Sequence, residues 1–274
     1  MSGIPRRMVC FWIGRMSWMR WLSLDTFVRL NPDWEVHLYT APIEMLLEKH
    51  WEGTPDDDNS YTGRDYWDSL PPSVQVRAFA PPCRMGAAQM CDLFQWNALA
   101  VGGGVYADLD ILWLKPLDSV FAGVADHDAV FCLERGMFAI GLVASAPECP
   151  LFMQVVDYAA IQPNTDYQHY GSSLFYRFTG LYNPGANPGD EIFKRLKFRY
   201  QDLRIAEIPD RTVYPFDWRE TGKIFVESFP VPKGATGLHW FGGCPRSDEF
   251  NNRITEGAWQ DHDNTFTNCL RTVL

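Results

Sequence analysis

No apolar run in this chain approaches the roughly 18 residues that span a bilayer, and Arg6, Arg7, Arg15 and Arg20 are scattered through the apolar N-terminal stretch. This pattern excludes stable membrane insertion and predicts neither a signal peptide nor an anchor. Positive charge is also scarce: 24 Lys+Arg stand against 34 Asp+Glu, a net charge of −10, which argues against a general polyanion-binding face. The seven cysteines are odd in number and widely spaced, with no Cys-x-x-Cys, so neither a disulfide framework nor a zinc knuckle is indicated. A reduced, cytoplasmic compartment is the expectation. No internal repeat or low-complexity tract interrupts the chain. With 46% hydrophobic and 21% charged residues over 274 positions, wholesale disorder is excluded, and one large domain or two closely joined ones can form a core. Aromatic residues are abundant (11 Trp, 11 Tyr, 18 Phe), which suits the stacking of flat or sugar-like ligands and equally a heavily packed interior.

Met8 to Ile13 is a short apolar run ended by Gly14 and reads as a buried first strand. Ser17 to Leu30 carries apolar residues at helical spacings until Asn31-Pro32 stops it, and Trp34 to Tyr39 follows as a second strand, giving a βαβ opening of an α/β fold. Trp51 to Pro82 reads as a long irregular stretch, an insertion or a flap, with a solvated Asp56-Asp57-Asp58. A helix over Ala87 to Val101, the turn Gly102-Gly103-Gly104 and a strand Val105 to Ala107 come next. Strands near Ala129 to Leu133 and Phe138 to Ala144, a helix over Leu151 to Ile161 and a Gly/Pro/Asn-rich zone from Gly180 to Gly189 complete the pattern.

The chemistry concentrates at Asp108-Leu109-Asp110. Alternation at a strand end places both carboxylates on one side, in the most hydrophobic neighbourhood of the chain. Two such carboxylates repel unless a partner intervenes, and a hard divalent ion, Mg²⁺ or Mn²⁺, suits them. A loop pair of aspartates capping a helix is the plain alternative. Asp126-His127-Asp128 and Asp261-His262-Asp263 look like metal triplets, but adjacent residues point opposite ways and both sit in polar loops. Gly102 to Gly104 lacks the Lys-Ser/Thr of a phosphate cradle and reads as a helix-to-strand turn.

Ala88 to Asp92, then Gly103-Gly104-Val105-Tyr106-Ala107-Asp108-Leu109-Asp110, then Lys115-Pro116-Leu117-Asp118 form a series that resembles the DXD-containing sugar transferases of glycosyltransferase family 32. Weaker likenesses lie at Phe11 to Gly14, Asn31 to Trp34, Ala144 to Pro147, Tyr214-Pro215-Phe216 and His239-Trp240-x-Gly-Gly, so the resemblance spans nearly the whole chain. It implies a GT-A fold, a Rossmann-like α/β sandwich with a central mixed sheet, as a single catalytic domain over 1–274. Residues 1–118 would form the nucleotide-sugar half and 119–274 the acceptor half. By the same match, Trp12 stacks on the nucleotide base, Asp92 binds donor sugar hydroxyls and Tyr106 lines the ribose or base. Asp108 and Asp110 hold ribose and metal, with Asp110 the direct ligand. One departure is Gln95, which stands where the family usually carries Arg and keeps hydrogen bonding without the cation. His239 falls where related enzymes bring a C-terminal residue to the metal or diphosphate; a core histidine is its rival. Trp240 and Phe241 are placed to close over the donor, or simply to pack.

The expected function is metal-dependent sugar transfer from a UDP- or GDP-sugar to an acceptor hydroxyl. No catalytic base is evident, which fits a retaining, front-face displacement; a double displacement needs a carboxylate near the anomeric carbon, and Asp92 is nearest to that role. Rivals are a metal-dependent phosphoesterase or nucleotidyltransferase and a non-catalytic nucleotide-sugar-binding protein. The favoured acceptor is a glycan built in a bacterial or viral cytosol. A hydroxylated DNA base is the alternative, for which the basic residues between Lys194 and Arg204 are the one candidate face.

Overall fold

The computed structural model describes residues 3–47, 61–134, 138–162, 169–181 and 189–274. The chain opens as expected. Strand β1 (Arg7–Phe11) leads to helix α1 (Trp18–Leu30), and β2 (Glu35–Thr40) returns parallel to β1 with Arg7 opposite Glu35 and Phe11 opposite Tyr39. The helix starts where Ser17 accepts from the Arg20 amide at 3.2 Å, and stops where the Asn31 backbone and side-chain amides both donate to the Phe27 carbonyl. Helix α2 (Ala87–Val101) then packs on the sheet and feeds β4 (Gly104–Ala107). The turn between them has Gly103 at φ +61° and Gly104 at φ +104°, and a Cβ on Gly104 would lie 2.7 Å from the Arg7 carbonyl oxygen. These glycines therefore serve backbone geometry, as read from the sequence.

Two expectations need correction. The span read as irregular from Trp51 to Pro82 contains a strand, β3 (Val74–Ala78), parallel to β2 at the edge of the sheet. Its residues are mostly exposed, so no run of buried apolar positions announced it; the Asp56 to Asp58 triplet lies outside the described residues. The strand expected from Phe138 begins only at Leu142: Phe138 packs into the core, and residues 139–141 line a cavity.

After β5 (Ile111–Trp113) and the short α3 (Asp118–Phe121) come β6 (Ala129–Cys132), β7 (Leu142–Ser145), α4 (Pro150–Ala160), α5 (Ser172–Phe178), α6 (Gly189–Arg199) and β8 (Ile205–Ile208). The chain ends with α7 (Thr221–Phe225), β9 (Gly237–His239), α8 (Pro245–Arg253) and α9 (Thr265–Val273). Seven strands form one mixed sheet in the order β3-β2-β1-β4-β7-β6-β8, and within it β7 alone runs antiparallel to its neighbours. Strands from both 1–118 and 119–274 thus share one sheet. The fold is α/β with helices on both faces.

Two buried clusters, one per face, follow from the pleat. Met8, Cys10, Val105 and Ala107 pack with α1 and the C-terminal elements, while Val9, Phe11 and Tyr106 pack with α2, α4 and α5. Burial on both faces explains why β1 reads as a continuous apolar run. The motif flanks also meet: the Leu117 amide donates to Asn31 Oδ1 at 2.7 Å and Trp34 Nε1 donates to Asp118 Oδ1 at 3.2 Å. Asn31-Pro32-Asp33-Trp34 and Lys115-Pro116-Leu117-Asp118 are therefore one structural brace.

Candidate active site

Strand β4 ends at Ala107, and the chain turns through Asp108-Leu109-Asp110 before β5 leaves the main sheet to pair with β9. Leu109 is buried in the core and its carbonyl accepts from Ser23 Oγ at 2.8 Å, so helix α1 anchors the turn. Both aspartate side chains face the cavity, as expected, although a turn and not strand alternation puts them there. The β5–β9 register sets Ile111 opposite His239, and the Trp240 amide donates to the Asp110 carbonyl at 2.8 Å. This pairing carries residue 239 to the carboxylates across a long sequence separation.

His239 Nε2 lies 3.1 Å from Asp110 Oδ1 and 3.6 Å from Asp108 Oδ2. One ligand atom from each of the three residues falls within 4.8 Å of the others. Asp110 Oδ2 accepts from the Gly242 amide at 2.7 Å, while buried Asp110 Oδ1 has the His239 Nε2 contact and no other hydrogen-bond partner among the described residues. Asp108 Oδ1 accepts from the Tyr106 hydroxyl at 2.6 Å, which leaves Oδ2 toward the cavity. Two hard oxygens and an imidazole, converging within 4.8 Å of one another, fit Mn²⁺ or Mg²⁺.

The electrostatics fit the same purpose. Burial alone favours neutral His239, yet Asp110 and Asp108 hold its pKa above the ordinary histidine value. Burial likewise pushes against the charge on Asp108, but the hydrogen bond and charge of His239, with Tyr106 and Arg20, keep its carboxyl below the usual range. Asp92 lacks such help: burial and the charge of Asp108 raise it well above an ordinary aspartate. The Phe241 amide donates to His239 Nδ1 at 3.3 Å, which places the ring proton of the neutral tautomer on Nε2, facing the carboxylates. An ion ligated by that nitrogen must release this proton.

A cavity of about 1030 Å³ opens in front of this cluster, lined by Trp12, Arg20, Asp92 and Glu134 and on its far side by α8. Of the expected site residues, Trp12, Asp92, Asp108, Asp110 and His239 line it together. Gln95, Tyr106 and Trp240 do not; all three are buried behind the wall. Gln95 Nε2 donates to the Ile140 carbonyl at 2.8 Å, so this residue holds the 138–141 segment in place. Tyr106 bridges Cys91 and Asp108 beneath α2. Trp12 lines the cavity but is nearly fully buried, with its indole N–H donating to the Arg15 carbonyl at 2.9 Å.

The two His-containing triplets hold no metal-like geometry. Asp128 is buried and accepts from the Arg204 amide at 2.7 Å, and Asp126 pairs with the Arg204 guanidinium at 2.6 Å. His262 packs edge-on to Phe250. In the basic stretch, Arg195 and Arg199 donate to the carbonyls of Thr179 and Phe178.

Sequence reading missed Arg20, Gly141 and, as a site residue, Tyr214. Arg20 is buried with its guanidinium 4.6 Å from the ring centres of both Trp12 and Trp240. Gly141 stands where a Cβ would lie 2.6 Å from Asp108 Oδ2, 2.8 Å from Tyr214 Oη and 3.1 Å from His239 Nε2. Only a residue without a side chain lets these three groups converge. An arginine inside an aromatic helix and a glycine within an apolar run were the available signals, and neither carries chemistry by itself.

No protein-family model matches the chain, and no curated protein matches it. Similar solved structures do exist. The PaToxG glycosyltransferase aligns at 13% identity and a TM-score of 0.43, over 72% of this chain and 75% of its own. The glycosyltransferase GlyE of Streptococcus pneumoniae TIGR4 aligns at 10% and 0.43, over 91% and 61%, so this chain spans less than two thirds of it. The galactosyltransferase LgtC, solved with donor and acceptor sugar analogues, aligns at 10% and 0.39, over 93% and 99%. Such distant likenesses carry no chemistry across, and the functional case rests on the site itself.

Proposed function

We propose that this chain is a GT-A-type, metal-dependent retaining glycosyltransferase that takes a nucleoside-diphosphate sugar, with residues 1–118 on the donor side and 119–274 on the acceptor side. The observation that supports it is the convergence of Asp108, Asp110 and His239 at the mouth of one cavity, beside Trp12 and Asp92. Asp108, Asp110 and His239 would hold Mn²⁺ or Mg²⁺, which, when bound, neutralises the departing diphosphate. The protein's own part is orientation. Trp12 offers an aromatic edge to the base, and Asp92, raised toward its protonated form, can donate as well as accept at donor sugar hydroxyls. Front-face displacement is the mechanism we favour, with the departing phosphate oxygen accepting the acceptor's proton. Tyr106 and Gln95 act from behind the wall, fixing Asp108 and residue 140, and Trp240 supports Arg20.

The acceptor we favour is a saccharide hydroxyl of a glycan. The net charge of −10 and the engagement of Arg195, Arg199 and Arg204 within the protein give a DNA duplex little to hold. No described helix is long and apolar enough to cross a membrane.

A donor-hydrolysis assay tests the reading. UDP- and GDP-sugars with Mn²⁺ should release free sugar, and chelator, Asp108→Asn or Asp110→Asn should reduce the rate at least a hundredfold. Full turnover in chelator, or in the doubly substituted chain, overturns it.

A further inference from the structure

We propose that Tyr214 is a donor-binding residue, its phenol hydroxyl donating a hydrogen bond to an anionic oxygen of the bound nucleoside diphosphate. This inference deepens the donor reading above and rests on it. Tyr214 is only 2% exposed, and its hydroxyl oxygen is buried without a hydrogen-bond partner among the described residues. Buried hydroxyls in folded proteins are almost always paired, because an unpaired one forfeits its hydration for nothing. An orphan of this kind on a cavity wall marks a position that a ligand completes.

The surroundings fix both the direction and the kind of ligand atom. The Tyr214 ring lies against His239, with centres 5.1 Å apart, and stacks on Phe241 at 6.3 Å. The adjoining backbone is tied down by the His239 amide donating to the Val213 carbonyl at 2.8 Å and the Tyr214 amide to the Asp210 carbonyl at 3.0 Å. The ring therefore cannot swing to seek a partner elsewhere. Its hydroxyl converges with Asp108 Oδ2 and His239 Nε2 over the bare α-carbon of Gly141. A phenol hydroxyl gives its strongest hydrogen bond to a charged acceptor. Next to the carboxylate and imidazole that would hold the ion, the ligand atoms delivered are phosphate oxygens. Sugar hydroxyls, the other acceptors a donor carries, lie nearer Asp92 in this reading.

The test uses calorimetry on the full chain with Mn²⁺, titrating UDP and GDP into wild type and Tyr214→Phe, which keeps the ring and removes only the oxygen. The expected result is a roughly tenfold weaker Kd for the diphosphate that wild type binds. Mn²⁺ alone should show unchanged affinity. The ligand-free variant should melt at the same temperature as wild type or higher, since an unsatisfied hydroxyl has been removed. An unchanged diphosphate Kd, a weakened Mn²⁺ site or a lower melting temperature each overturns the assignment. Wild type that binds neither UDP nor GDP overturns the donor reading itself, a result distinct from all of these.

Discussion

Arg20 Nη1 lies 3.8 Å from Asp110 Oδ2, and the guanidinium that makes this contact is held between the indoles of Trp12 and Trp240. A first-helix cation thus braces the most buried carboxylate of the site from behind. Gly242 completes the arrangement, since a Cβ there would collide with the guanidinium.

Arg20→Lys keeps the charge but loses the planar face that two indoles cover, and should cost roughly 1–3 kcal/mol of stability. Denaturant melts measure this. A double-mutant cycle of Arg20→Met with Asp110→Asn should give a coupling above about 1 kcal/mol. Simple additivity would assign Arg20 to aromatic packing alone.

Asp92 distinguishes two mechanisms. If its carboxyl works in the neutral form, Asp92→Asn should retain on the order of a tenth or more of the donor-hydrolysis rate, while Asp92→Ala falls much further. A nucleophilic role requires both variants to be equally dead. Parallel rate measurements, with trapping of a glycosyl-enzyme by mass spectrometry, decide between them.

Trp12 is both cavity wall and core. Trp12→Ala should cost roughly 3–5 kcal/mol of stability, as a buried Trp does. Trp12→Phe fills most of the same space, and if the ring meets a base it should weaken nucleotide binding several-fold with a modest change in melting temperature. Equal nucleotide affinity in the Phe variant assigns Trp12 to packing.

His37 in β2 should make the fold acid-sensitive. Burial, with the charges of Arg77 and Arg7, lowers its pKa from 6.5 to about 4, against the opposing pull of Glu35. The folded state therefore takes up its proton later than the unfolded chain. Its stability contribution is full above pH 6.5 and is lost as the pH falls from there to about 4, by at most about 3 kcal/mol. His37→Gln should flatten the stability curve across that window; identical slopes in urea melts at pH 7, 6 and 5 would refute this.

The opening βαβ unit was legible in the sequence because β1 and α1 are written in local terms: an apolar run buried on two faces, a serine cap and an Asn-Pro stop. Edge strand β3 was not, since it meets water along most of its length and leaves no pattern of burial. In the site, Asp108 and Asp110 stood out as neighbours in sequence. Trp240 read as closing over the donor or as packing, and it lies behind the wall against Arg20.

What the sequence by itself determined is the composition of the α/β core and the position of the carboxylate pair at the end of β4, because both depend on residues within a few places of one another. The tertiary structure decided what faces that pair. The β5–β9 register brings His239 to Asp110, the first helix delivers Arg20, and Gly141 leaves the space in which Tyr214 meets Asp108. These contacts join residues from 33 (Asp108 and Gly141) to 129 (Asp110 and His239) positions apart, and local spacing carries no information about pairings that only chain packing selects.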